Sequence, residues 1–250
     1  MRPVLLTWRG GRLRSYPTLL YLGMVFGIVA GDYAAKVSGL DATRVLVALT
    51  ILTIPGLVGA RLLFVATHWE LYRYERGRIW RRSEGGAAMQ GGLLLAVAAS
   101  VPLVRALGLR FGAFWDVATF AALIQLVFAR FGCLLHGCCA GRTTAGWFAL
   151  ELPDHRGVLQ RRVPSQLVEA AWAVVILVGA MALWDHRPFP GVVFLTALTA
   201  YALGRIMFEP LREARSRIGA LDVQRGLAAV FGAVALMGLL VAWLGGAGGI

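Results

Sequence analysis

Seven long apolar runs divide the chain, and polar segments separate them. They lie at about 16–35, 45–67, 89–107, 114–135, 166–184, 191–208 and 227–244. Each reaches or approaches the ~20 residues an α-helix needs to cross a bilayer. A soluble fold would have to bury all seven in one core. The pattern therefore predicts an all-α integral membrane protein of about seven transmembrane helices in one bundle. No Ser/Gly-rich linker or low-complexity stretch interrupts it, so residues 1–250 read as a single membrane domain. No cleavable leader is evident, and the first run is expected to be retained. Three polar segments stand out: 68–86, long and charged; 136–164, with a Pro-Asp-His-Arg-Gly turn expected from Pro153 to Gly157; and 209–224, carrying both charge signs.

Composition sharpens this picture. The chain is 58% hydrophobic with a mean hydropathy of +0.70, above the ~45–50% apolar share of soluble domains. Its net charge is +12, from 25 basic and 13 acidic residues, and Lys36 is the sole lysine. In a membrane chain such charge faces anionic lipid headgroups, and no nucleic acid is expected as a partner. The three cysteines are an odd number, and adjacent Cys138 and Cys139 would form only a strained bridge, so no disulfide framework is indicated.

Small residues mark two helix faces. Gly56-x-x-Gly59-Ala60 lies in the second run and Gly91-Gly92 opens the third, and both permit close helix approach. Pro164 and Ser165 read as a helix start, with Ser165 available as a cap. Charges inside or at the ends of the runs are more informative, because each costs a few kcal/mol without a partner or polar cavity. Among them are Arg61, Arg130 and Arg205, with Glu169 and Glu209 as acids. Arg205 and Glu209 share a helical face, and Arg61 is a candidate partner for Glu169 or Glu209. Three arginines exceed two carboxylates, and the surplus suits a lipid phosphate held by paired N–H donors. Residues 130–142 bring Arg130, Cys133, His136, Gly137, Cys138, Cys139 and Arg142 together at a span end. His68, His155 and His186 stand alone and read as solvated.

These residues, in this order, resemble the bacterial prolipoprotein diacylglyceryl transferases over nearly the whole chain. The resemblance rests on Gly59-Ala60-Arg61, Gly91-Gly92, Arg130-x-Gly132 with Gly137 and Gly141-Arg142, Pro164-Ser165-Gln166-Leu167 with Glu169, and Gly204-Arg205-x-x-x-Glu209-x-x-Arg212. It implies a seven-span enzyme of the bacterial cytoplasmic membrane. Such an enzyme moves the diacylglyceryl group of phosphatidylglycerol onto a lipobox cysteine of a precursor protein. It also implies Arg130 and Arg205 as essential arginines, Glu209 and Arg212 as their sixth-span partners, and Tyr201 at a position where the family has a tyrosine. No cofactor is implied.

The chain departs from the family pattern where acid–base groups would sit. Gln90 stands for the third-span histidine, and Cys133, His136 and Cys138 stand for two asparagines and a glutamate. Two readings follow. In the first, the chain is a transferase that acts on phosphatidylglycerol or another anionic phospholipid. Arg130, Arg205, Glu209, His136 and Cys138 would be its catalytic groups. Arg61, Gln90, Gly91, Gly92, Cys133, Gly137, Arg142, Glu169, Tyr201 and Arg212 would line its substrate site. In the second, the Cys/His cluster has been rebuilt for metal, redox or lipid binding without transfer. Four soft or borderline ligands fall in seven residues, but their spacing fits no common zinc pattern, so no metal is assigned. A polar cavity is expected between the third, fourth, fifth and sixth spans. Loop charge argues for an N-terminus in the cytoplasm, whereas the resemblance implies an N-terminus outside, which is the orientation adopted here.

Overall fold

The computed structural model describes residues 4–8, 11–80, 88–153, 157–213, 217–218 and 221–247. It contains seven helices long and apolar enough to cross a membrane. They are α1 (Ser15–Val37), α2 (Ala42–Thr67), α4 (Met89–Ala106), α5 (Phe111–His136), α6 (Ser165–Trp184), α7 (Val192–Phe208) and α8 (Val223–Ala247). A single turn, α3 (Trp69–Tyr72), follows α2, and a 3₁₀ turn over Glu209–Leu211 extends α7. The chain is a multi-pass membrane protein. All seven expected spans are present, with ends within a few residues of the apolar runs.

Helix α5 is the central element. It packs against α1, α6 and α7, while α2 pairs with α4 and α8 lies along α7. Phe114, Trp115, Val117, Phe120 and Leu123 of α5 meet Val192, Val193 and Ala197 of α7 in the main core. The outer faces are apolar as well. Val230, Val234, Leu240 and Trp243 of α8 are exposed, and only 11% of that span is buried within the protein. Such a surface has lipid as its solvent.

Helices α2 and α4 meet through their glycines. A Cβ at Gly59 or Gly91 would collide with the other's carbonyl oxygen, and one at Gly92 with that of Gly56. Only glycine permits this backbone approach, as the small-residue faces predicted. At the other side of the core, buried Asp116 of α5 caps α7. Its carboxylate accepts the Gly191 N–H at 2.7 Å and the Phe194 N–H at 3.0 Å. These N–H groups have no partner within their own helix.

Short strands elaborate the segments before and between the spans, which the apolar pattern could not foresee. β1 (Val4–Trp8) pairs with β2 (Gly11–Arg14), β3 (Leu150–Pro153) with β4 (Leu159–Arg162), and β5 (Arg217–Ile218) with β6 (Leu221–Asp222), all antiparallel. Part of the turn expected at 153–157 lies outside the described residues. Ser165 does not cap α6. Its hydroxyl donates instead to the Cys139 carbonyl at 2.8 Å, which ties the helix start to the loop after α5.

Candidate functional site

The site is built where α5 ends, α6 begins and α7 ends. Helix α5 stops at Gly137, whose φ of +82° only glycine adopts at little cost. The Gly137 N–H bonds the Leu134 carbonyl, and the Cys138 N–H bonds the Cys133 carbonyl. These are the two bonds of a Schellman motif, which folds the residue after the glycine back onto the last turn. Cys138 is thereby brought against Cys133. Cys139 takes φ +64°, the one left-handed residue other than glycine among those described. The three sulfurs lie within 4.8 Å of one another. All three cysteines are free thiols.

The following residues are stitched on both sides. Gly141 N–H bonds the Val163 carbonyl, Arg142 N–H bonds the Leu211 carbonyl, and Val163 N–H bonds the Arg142 carbonyl. A Cβ at Gly141 would strike Leu211 and Val163 backbone atoms, so this crossing requires glycine. The first turn of α6 grips the same loop. Gln166 Nε2 donates to the Cys138 carbonyl at 2.6 Å, beside the Ser165 bond to Cys139. Behind it, buried Arg162 pairs with Glu213 at 2.5 Å and with Gln160 at 2.7 Å.

Glu169 lies on the α6 face that carries Gln166 and is the hub of the charges. Arg130 Nη2 stands 2.6 Å from one oxygen of its carboxylate. Arg212 Nη1 and Arg205 Nη1 donate to the other, at 2.9 and 3.3 Å. Arg205 Nη2 reaches Glu209 at 2.5 Å, one helical turn on. The network is almost fully buried, with Glu169 7% and Arg205 6% exposed. Arg130 Nε is a buried donor that finds no acceptor among the described residues. Burial opposes the charge of Arg212, but the Glu169 carboxylate beside it more than offsets this and raises its pKa. A narrow recess between α5, α6 and α7 opens on the network, with Glu169, Tyr201 and Arg205 meeting the apolar walls of Leu126, Ile176 and Phe208.

Several expected assignments change. Arg61 pairs with neither Glu169 nor Glu209: its Nε donates to the Ile79 carbonyl at 2.7 Å and its guanidinium lies over Tyr72 and Phe64. The third arginine of the cluster is Arg212, which the apolar pattern had left in a loop. Gln90 is buried away from the recess, and its Nε2 donates to the Gln224 carbonyl of α8. The third span therefore does not line the recess, which lies between the fourth, fifth and sixth spans and has mostly apolar walls rather than those of the expected polar cavity. Gly91 and Gly92 serve the α2–α4 contact, and the Arg142 side chain is exposed. His136 stays outside the sulfur cluster and faces the Tyr16 ring at 6.1 Å. His68 is not simply solvated, because it stacks on Phe64 at 4.3 Å and its Nδ1 lies 3.0 Å from the Phe64 carbonyl. His186 is exposed, and His155 lies outside the described residues.

Cys139, expected only as a ligand of the rebuilt Cys/His cluster, and Gln166, expected only as part of the α6 start, complete the site. The signal for Cys139 lay in the Cys133-x-x-x-Gly137-Cys138-Cys139 pattern, which a Schellman ending converts into three neighbouring thiols.

The sequence profile described as prolipoprotein diacylglyceryl transferase matches residues 3–243. A protein of Clostridioides difficile is 26% identical over 97% of this chain and 94% of its own length. Relatives from Clostridium botulinum and Clostridium kluyveri are each 23% identical, over 84% and 89% of this chain and 85% and 89% of their own lengths. All three are named phosphatidylglycerol–prolipoprotein diacylglyceryl transferase. Matched over residues 3–243, this chain belongs to the prolipoprotein diacylglyceryl transferase family.

Proposed function

We propose that this protein transfers a diacylglyceryl group from phosphatidylglycerol to the thiol of a lipobox cysteine in a precursor protein. The reaction takes place at the cytoplasmic membrane of a bacterium, with the N-terminus outside. The observation that carries this reading is the unbalanced charge of the network. Three guanidinium groups, of Arg130, Arg205 and Arg212, face two carboxylates, of Glu169 and Glu209. One positive charge remains, and Arg130 Nε is an unused buried donor beside it. A lipid phosphate supplies both the missing charge and the missing acceptor.

The chemistry follows from that placement. The acceptor thiolate attacks the glyceryl carbon, a C–S bond forms, and the C–O bond to phosphate breaks. The electron pair leaves with the phosphate as glycerol phosphate. Arginines that hold the phosphate stabilise the charge that grows on it in the transition state. Glu169 and Glu209 keep the guanidinium groups oriented, and Tyr201 lines the same recess.

The test uses purified protein in detergent, phosphatidylglycerol labelled in the headgroup, and a lipobox peptide. Release of glycerol phosphate is expected. Arg205→Ala should slow it by about 10²–10³-fold, and Arg205→Lys should recover only part because the paired donors are gone. Undiminished phosphatidylglycerol binding by the Arg130→Ala/Arg205→Ala double variant would refute the phosphate site. A C-terminal reporter active only outside the cytoplasm would reverse the proposed orientation.

A further inference from the structure

We infer that Cys133, Cys138 and Cys139 hold one soft divalent cation of the zinc class through three thiolates, with a fourth position left for the acceptor's thiol. The role assigned to that position rests on the transferase reading above; the site itself does not.

The geometry is close to that of a metal centre. Three thiolates on one zinc, each at about 2.3 Å, lie roughly 4 Å from one another. The three sulfurs here already converge within 4.8 Å. The backbone holds them there without the metal. The Schellman bond from Cys138 N–H to the Cys133 carbonyl sets one pair, and the left-handed backbone at Cys139 turns the third residue back. Ser165 and Gln166 fix the carbonyls of Cys139 and Cys138. Three convergent soft ligands on a loop pinned from behind are more than hydrophobic packing requires.

The ligand count points to a reactive centre. Among the described residues, no histidine, carboxylate or further cysteine joins the group. Structural zinc is closed by four protein ligands, whereas reactive zinc keeps a position open. Cys133 is buried, whereas Cys139 lies at the protein surface, on the side from which an acceptor would approach.

Coordination also meets a chemical need. A thiol bound to such a cation gives up its proton outright. The acceptor's S–H would bind at the fourth position and release its proton to water. The bound sulfur then attacks the glyceryl carbon as the carbon–phosphate oxygen bond breaks, and the electron pair departs with the phosphate toward Arg130 and Arg205. The product is a thioether, which binds the cation more weakly than a thiolate and can leave. No protein base is needed, in a chain whose Gln90 cannot act as one and faces α8.

The experiment titrates Co²⁺ into full-length protein, purified metal-free in detergent under reductant, and follows its absorption. Intense sulfur-to-cobalt charge transfer with tetrahedral d–d bands, saturating near one equivalent and reversed by Zn²⁺, is expected. Cys133→Ser, Cys138→Ser and Cys139→Ser should each weaken binding by about 10–100-fold or more. Cobalt that binds without the charge-transfer band, fully reduced protein that binds no cobalt, or retention of copper(I) alone would overturn the site. Addition of a lipobox peptide should shift the d–d bands, whereas the same peptide with its cysteine replaced by serine should not. Metal binding without release of glycerol phosphate would keep the site and reject the transferase reading. Full release by metal-free protein would keep that reading and reject the metal's role.

Discussion

Asp116 and Glu169 are both buried acids that hold an end of α7, yet they are satisfied in opposite ways. Asp116 meets backbone N–H groups at the helix start, at Gly191 and Phe194. The helix end offers a partial positive charge, which a single carboxylate balances. Glu169 meets Arg130, Arg205 and Arg212, and even with Glu209 the acids are outnumbered. About 21 Å of α5 separates Asp116 from Arg130. The difference teaches that a buried charge in a membrane bundle is not by itself a sign of chemistry. A balanced one is architecture, and an unbalanced one asks for a ligand.

Three substitutions test that distinction. Glu169→Gln should have the largest effect. It leaves three guanidinium groups with Glu209 alone, and breaking a buried pair costs about 3–5 kcal/mol. Thermal unfolding in detergent should fall sharply and transfer should be lost; wild-type stability and rate would show that Glu169 is not the hub. Asp116→Ala should cost about 1.5–3 kcal/mol through lost hydrogen bonds to a charged group. The folded fraction should keep its KM for phosphatidylglycerol, and a changed KM at unchanged stability would mean that the two ends of α7 are coupled. Gln90→Ala should be mildest, at about 0.5–1.5 kcal/mol, because it removes one donor to the Gln224 carbonyl. A loss of transfer larger than its loss of stability would return Gln90 to the substrate site.

Much of this was legible in the sequence, because lipid imposes a simple rule. A span must be apolar over its length and satisfy its own backbone, so seven runs could be read as seven helices. The Gly59 and Gly91 faces were equally readable, since small residues at helical spacing mean close approach. The pairing of arginines was less so. Arg205 with Glu209 followed from one turn of helix, but Glu169 with Arg212 depends on how a loop is stitched across Leu211. Arg61 was misassigned because the pairing looked to carboxylates on distant spans, whereas its guanidinium meets carbonyls of its own following loop, at Arg78 and Ile79. The hairpins escaped because strands of two to five residues are too short to show a hydrophobic period. Asp116 was overlooked because its partners are backbone groups of a distant helix start.

The double stitching of Gly141 and Arg142 gives the mouth of the bundle an unusual time signature. A segment without regular structure ordinarily exchanges its amide hydrogens quickly. Here the amides of Gly141, Arg142 and Val163 are all engaged across segments, to carbonyls of Val163, Leu211 and Arg142. They can open only if the ends of α5, α6 and α7 separate together. Slow hydrogen exchange at these three positions would therefore report the rigidity of the whole mouth, and a common rise in their rates would mark any motion that parts the three helices.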